Sequence, residues 1–419
     1  MTVIISTNKI KDIVFTLLLF VLAIANASPH IFLYGYQRPL YFIVLFVCIV
    51  ITLFRVVNGK KISKDHLKDH LIRIALVILM LAFPVICGNS AYANRYLHLS
   101  GVLLYPIIYE ATKNTRIPGY VVRILIIWSI VIAIPTILAC SQAPYASRQA
   151  DQSALYQSMG VGGYMYIYAI ALGSVILFAY AINSTFSKKT MLLYAIWILY
   201  IVTIYKSNFM TAVLVAVIGA FCCIICKKNS AKNKMISISL FLLFLFFMSG
   251  PILQALDGLI KSIIPESGRI ANIFRGSGNI FQSLTNEFVG DRLPTLQSSI
   301  TVINKHPIAG LIFYENNIVD FGQHSTILDT FALWGIPIGG IYFILMLKPS
   351  FSFNRCKHYE YIIPVLVSFI ILAFFNNIEC TSVFVMFYIG LCVVDSVGDR
   401  EPIVKFLRVT DLNKAKRIN

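Results

Sequence analysis

Three residues of this sequence join a reactive side chain to a position that gives it chemistry to do: His324, Arg292 and Lys206. His324 stands just before an apolar run that reads as a helix. The positive end of that helix disfavours imidazolium and keeps the ring neutral, which is the state a general base requires. Arg292 opens the segment Asp291–Gly310, where Leu293, Leu296, Ile300 and Ile303 recur at spacings of three and four. That periodicity predicts an amphipathic helix ended by Pro307, lying along a membrane interface with Arg292 near lipid phosphates. Lys206 belongs to the tight hairpin Tyr205-Lys206-Ser207-Asn208, and it reads either as a snorkelling side chain or as an anion site at the surface. Thr326 and Asp329 have the T-x-x-D spacing of a capping box at the start of the helix after His324. Capping is the role preferred for Asp329 over catalysis.

The elements that must position these residues are apolar helices. The chain has 419 residues, 58% hydrophobic and 13% charged, with a mean hydropathy of +0.79. That composition lies outside the range of soluble domains and describes an all-α polytopic integral membrane protein. A span needs about 20 mostly apolar residues, and by that measure there are twelve, centred near about 21, 48, 80, 104, 130, 172, 197, 217, 244, 336, 369 and 388. The first apolar run reads as an uncleaved span and not a signal peptide. Loops alternate in basic content, with 26 of the 35 Lys and Arg on the side of the N-terminus, so both termini are expected in the cytoplasm. The chain then divides into transmembrane helices 1–9 over residues 1–255, a large external loop with an interfacial helix over 256–324, transmembrane helices 10–12 over 325–397, and a basic cytoplasmic tail over 398–419.

This layout also disposes of several functions. The net charge of +17 flanks the spans in short clusters, as expected for contact with anionic lipid head groups, so no nucleic acid is implied. Cys223 and Cys226 form a C-x-x-C at the end of an apolar helix without a second ligand pair, and structural thiols are the preferred reading. No D-x-D or His/Asp cluster faces the outside, so neither a metal nor another cofactor is expected. There is no internal repeat of the transporter kind, and Glu110 and Arg123 fall near inner helix ends, where snorkelling accounts for them.

Two further external stretches are candidates. From Ser141 to Gln157 the chain offers amides, hydroxyls, tyrosines and Arg148, followed by a Gly160–Gly163 turn; it suits sugar recognition or a solvated loop with helix-entry glycines. Arg269 and Arg275, with Gly276 and Gly278 nearby, belong either to a mobile lid or to loop solvation.

Taken in order, a basic-Ser hairpin, an arginine opening a helix that ends in KHPIAG, and the run GQHSTILDTFALWGIPIGG resemble the O-antigen ligase/O-antigen polymerase family of bacterial surface-polysaccharide glycosyltransferases. The similarity covers Tyr200 to Lys348; elsewhere only the number and topology of spans agree. The resemblance implies a GT-C-like fold and a metal-independent glycosyltransferase at the outer face of the bacterial inner membrane. Its donor would be an undecaprenyl-diphosphate-linked oligosaccharide, with membrane lipids and a chain-length regulator protein as further partners. Arg292 and Lys206 would compensate the diphosphate charge, with Arg148, Arg269 and Arg275 as weaker substrate contacts. His324, together with Arg292, would be catalytic: the histidine deprotonates the acceptor hydroxyl. Lys206 stands where the family has Arg, which keeps the charge and loses the bidentate fork. Gly310-Leu-Ile replaces a G-x-G, and His324-Ser replaces the His-Asn common in ligases. The last departure looks more like the polymerases. Arg148, with Gly160 twelve residues on, is close to an Arg-x10-Gly pattern of some polymerases. The expected function is therefore a repeat-unit polymerase. The alternatives are a ligase with lipid A–core as acceptor and, from another class, a lipid-linked glycan flippase or polysaccharide transporter.

Overall fold

Apolar runs with few breakers leave the backbone no partner but itself, so they coil into helices. The computed structural model of the chain describes residues 7–25, 27–36, 40, 43, 46–47, 50, 64–89, 102, 117–227, 293–314, 325–351, 358–378 and 381–396. Among the described residues the structure is helical, without a strand. In chain order the helices are α1 (Thr7–Ile24), α2 (Pro29–Leu33), α3 (Lys64–Ile86), α4 (Ile117–Gln142), α5 (Ala146–Gln149), α6 (Ala154–Ser158), α7 (Tyr164–Asn183), α8 (Lys188–Lys206), α9 (Met210–Cys226), α10 (Leu293–Lys305), α11 (Thr326–Leu347), α12 (Tyr359–Phe375) and α13 (Thr381–Ser396). Five apolar stretches among them have the length to cross a membrane: Lys68–Ile86, Gly119–Gln142, Tyr164–Asn183, Lys188–Lys206 and Thr326–Phe351. Most of the predicted spans near residues 48, 104 and 244, along with Arg269, Arg275, Arg292 and His324, lie outside the described residues.

α7 is the centre of the bundle. Its apolar stretch is 83% buried, against 28% for Lys68–Ile86, because it is apolar all round and packs on α8, α9, α12 and α13. Gly219 of α9 lets the backbones close up: a Cβ there would lie 2.3 Å from Val175 of α7 and 2.6 Å from Ser368 of α12. Small residues serve this purpose wherever apolar helices must approach without a solvent-driven force. The outward faces of α3 and α4 stay apolar, with Ile78, Ile127 and Leu138 exposed.

Contacts between helix ends sort onto two ends of the bundle. At one end Asp69 of α3 accepts from Lys348 just past α11 at 2.7 Å and from the buried Arg73 at 2.7 Å. The opposite end collects the C-terminal ends of α3, α4, α8 and α12 and the N-terminal ends of α7, α9 and α11, and of the candidate residues the described Arg148 and Lys206 lie there.

Candidate functional site

The site is built around the start of α11. Ser325 is its N-cap: the Ser325 hydroxyl accepts the Leu328 N–H at 3.1 Å, and the Asp329 carboxylate reaches back to accept the Ser325 N–H at 3.2 Å. The capping box expected of Thr326 and Asp329 is therefore displaced by one residue, because the Thr326 hydroxyl is engaged elsewhere. It donates to the Asn376 carbonyl at 3.2 Å and accepts the Ile378 N–H at 2.8 Å, while the Thr326 N–H donates to Asn376 O at 3.0 Å. Orphan donors of the first helical turn are thus taken up within the protein. The positive end of α11 thus faces the Asp329 carboxylate.

Asp329 has a second partner. Its other oxygen accepts the hydroxyl of Ser299, buried at the middle of α10, at 2.7 Å. The buried face of α10 is Leu296 and Ser299, whereas Ile300 is 45% exposed. α10 thus docks on α11 through a buried polar staple beside Leu296, and Ile300 of the expected apolar stripe lies off that contact. A polar pair fits there because each member satisfies the other in a dry setting.

The turn after α10 locks the same two helices together. Gly310 (φ 66, ψ 173) and Gly335 (φ 75, ψ 167) both take a conformation that is essentially reserved for glycine. They sit back to back: a Cβ on Gly310 would fall 2.4 Å from Gly335 N, and one on Gly335 would fall 2.2 Å from Ile308 O. α11 breaks its helical course at Gly335, and the freed Ile336 N–H donates to Pro307 O at 2.8 Å. So the His306–Gly310 and Trp334–Gly340 stretches form one joint. From the turn after α3, Asn89 donates to Ile312 O at 3.3 Å, closing the far side.

Lys206 is the last residue of α8, half-buried, and directly precedes the three-residue turn Ser207–Phe209. Arg148 reaches this turn from the short helix α5: its Nη2 donates to Asn208 O at 3.1 Å, and its guanidinium lies 5.3 Å from the Phe209 ring. The structure thus brings Arg148 and the Lys206 hairpin together. Phe209 in turn packs edge-on against Tyr164 and Tyr168. Tyr168 donates to Asn376 Oδ1 at 2.6 Å and Tyr164 to Asn377 O at 3.0 Å. A continuous path therefore runs from the hairpin through two tyrosines and Asn376 to the start of α11, and through Asp329 to α10.

Between these elements Asp151 accepts the Tyr164 N–H at 2.9 Å and caps α7. Burial pushes its carboxyl up to about 6, against the opposing effect of that N–H. Gly163 is glycine because a Cβ would collide with this carboxylate at 1.9 Å. The Gly160–Gly163 turn thus forms the entry to α7.

No family model matches this chain, and no curated protein matches it.

The hub residues Asn376, Tyr164, Tyr168, Phe209 and Ser299 were absent from the sequence reading. Paired amides closing an apolar helix, as in Phe374-Phe-Asn-Asn377, and a lone serine on the apolar face of α10 were the available signals. Among the described residues the corner holds the cations Arg148 and Lys206, the first engaged on the Asn208 carbonyl, and the carboxyl of Asp151.

Proposed function

We propose that this chain is a surface-polysaccharide repeat-unit polymerase, a metal-independent glycosyltransferase. It moves a glycan from a polyprenyl diphosphate onto a sugar hydroxyl of another lipid-linked repeat at the outer face of the bacterial inner membrane. In this reading twelve spans carry the chain across the membrane with both termini in the cytoplasm, and the 256–324 loop is external. Arg292 and Lys206 offset the charge that develops on the departing diphosphate through charge-assisted hydrogen bonds. His324 takes the proton of the attacking hydroxyl. The leaving group is a diphosphate, so it needs compensation of charge and not a protonating acid.

One observation supports this above the others. The segments that follow Arg292 and His324 in sequence are stapled to each other by Ser299 and Asp329. Helix rise puts Leu293 about 9 Å from Ser299 and Ser325 about 6 Å from Asp329, so the two helix starts open within roughly 20 Å of each other. The same staple is tied through Asn376, Tyr168 and Phe209 to the hairpin that Lys206 precedes. Residues far apart in sequence thereby share one corner, as a site for a charged lipid-linked sugar requires.

Deleting the gene tests the proposal. Surface glycan should then carry single repeats in place of long chains. Loss of long chains from lipopolysaccharide with lipid-linked polymer still made would instead indicate a ligase, and unchanged chain length would exclude both.

A further inference from the structure

Arg148 carries a positive charge in an outer loop, and its simplest use would be to hold an anion. Its surroundings give it other work. The guanidinium donates from Nη2 to Asn208 O, 60 residues away, at 3.1 Å. Its Cζ lies 5.3 Å from the centroid of Phe209 and 6.0 Å from that of Tyr145, both within cation–π range. A bond also returns in the opposite direction, because the Asn208 side-chain amide donates to Pro144 O at 3.2 Å. Loop and hairpin thus hold each other by a reciprocal pair of hydrogen bonds with aromatic faces packed against the cation.

The hairpin needs such a hold. Asn208 has φ 58, the only positive φ of a non-glycine among the described residues. Asparagine tolerates that conformation better than most residues, but only where surroundings fix it. Ser207 and Asn208 are buried, the Ser207 hydroxyl donating to Ile204 O at 2.7 Å. Lys206 stands immediately before these residues, at the last turn of α8. Its backbone is therefore set by a turn whose geometry Arg148 and Pro144 impose from outside.

We infer that Arg148 is a positioning residue for Lys206: it clasps the Ser207–Phe209 turn and thereby fixes the cation, and it does not itself bind the substrate anion. This rests on the proposed role of Lys206 as a diphosphate partner, but the clasp is testable without it. The probe is a water-soluble amine-acylating reagent applied to the purified full-length chain in detergent, with Lys206 modification followed by mass spectrometry. Arg148→Ala should raise the Lys206 acylation rate by about fivefold, which is what losing one ordinary hydrogen bond does to an opening equilibrium. Lys188 and Lys189, at the far end of α8, should be unchanged and report that the fold is intact. Arg148→Lys should behave like Arg148→Ala, since it keeps the charge but loses the planar fork. Phe209→Leu, which leaves every charge in place, should fall between them and wild type.

Unchanged Lys206 acylation in Arg148→Ala, or full recovery in Arg148→Lys, would overturn the clasp. The second arm is the rate of polymer formation at low lipid-linked repeat. If Arg148 acts through Lys206, then Arg148→Ala adds little to the defect of Lys206→Ala, whereas an independent anion ligand gives effects that multiply. A wild-type chain without polymerase activity would refute the functional reading, while the acylation result would still decide the clasp.

Discussion

Replacing Gly310 by alanine should undock α10 from α11. Two costs combine. Alanine must take φ 66 and ψ 173, a region essentially confined to glycine, at about 1–3 kcal/mol. Its Cβ must also clear Gly335 N and Leu333 O, each 2.4 Å away and both backbone atoms that cannot swing aside. The relief is to separate the turn from the α11 kink, which breaks the 2.8 Å bond from Ile336 N–H to Pro307 O. Leaving that donor unpaired costs about 1–3 kcal/mol more, so about 2–6 kcal/mol is expected in all. Gly340→Ala is the control: nothing lies within 4 Å of its Cβ, and alanine in a helix is favoured over glycine by up to about 1 kcal/mol. Tryptic cleavage after the exposed Lys305 reads the undocked population, and 3 kcal/mol corresponds to a rate increase on the order of 100-fold. Apparent melting temperature in detergent should fall for Gly310→Ala and hold or rise for Gly340→Ala. If both variants were cleaved and melted like wild type, the back-to-back glycine joint would be refuted.

Three other outcomes are expected, two from the described geometry and one from the proposed function. Ser299→Ala and Asp329→Ala should each loosen α10; the second is the more severe because it strips the Ser325 N–H as well, at about 1–3 kcal/mol by thermal shift. Asp151 has a folded-state carboxyl near 6, above its unfolded value, so it contributes stability that is present below about pH 4 and is lost as pH rises through 6. Asp151→Asn should remove that slope, which amounts to roughly 1 kcal/mol between pH 5 and 7.5, and melting temperatures at those two pH values would show a persistent slope if the assignment were wrong. His324→Ala and Arg292→Ala should each abolish polymer at unchanged protein level, and wild-type chain length in either would remove that residue from the site.

What was legible in the sequence was whatever repeats locally. The 3.6-residue periodicity and Pro307 set the end of α10 at Lys305; apolar runs located α4, α7, α8, α11 and α12; and the Tyr205–Asn208 hairpin follows from the short gap between two such runs. Pairings over long separations left no periodic trace. Ser299 is polar on an otherwise apolar face, so only its partner Asp329, thirty residues on, explains it. The cap fell on Ser325 instead of Thr326 because Asn376, from another helix, competes for the threonine hydroxyl. The break at Gly335 had a local cue in Gly335-Ile-Pro337, but its purpose depends on Gly310 lying opposite. In this corner, local pattern determined the helices and long-range polar contacts determined how their ends join.

The most direct measurement is conversion of a polyprenyl-diphosphate-linked repeat by the purified chain in detergent, followed as a ladder of lipid-linked oligomers. A repeat-unit polymerase gives a ladder that lengthens with time and disappears in His324→Ala. A well-folded wild-type chain that leaves the repeat unchanged would contradict the proposed function.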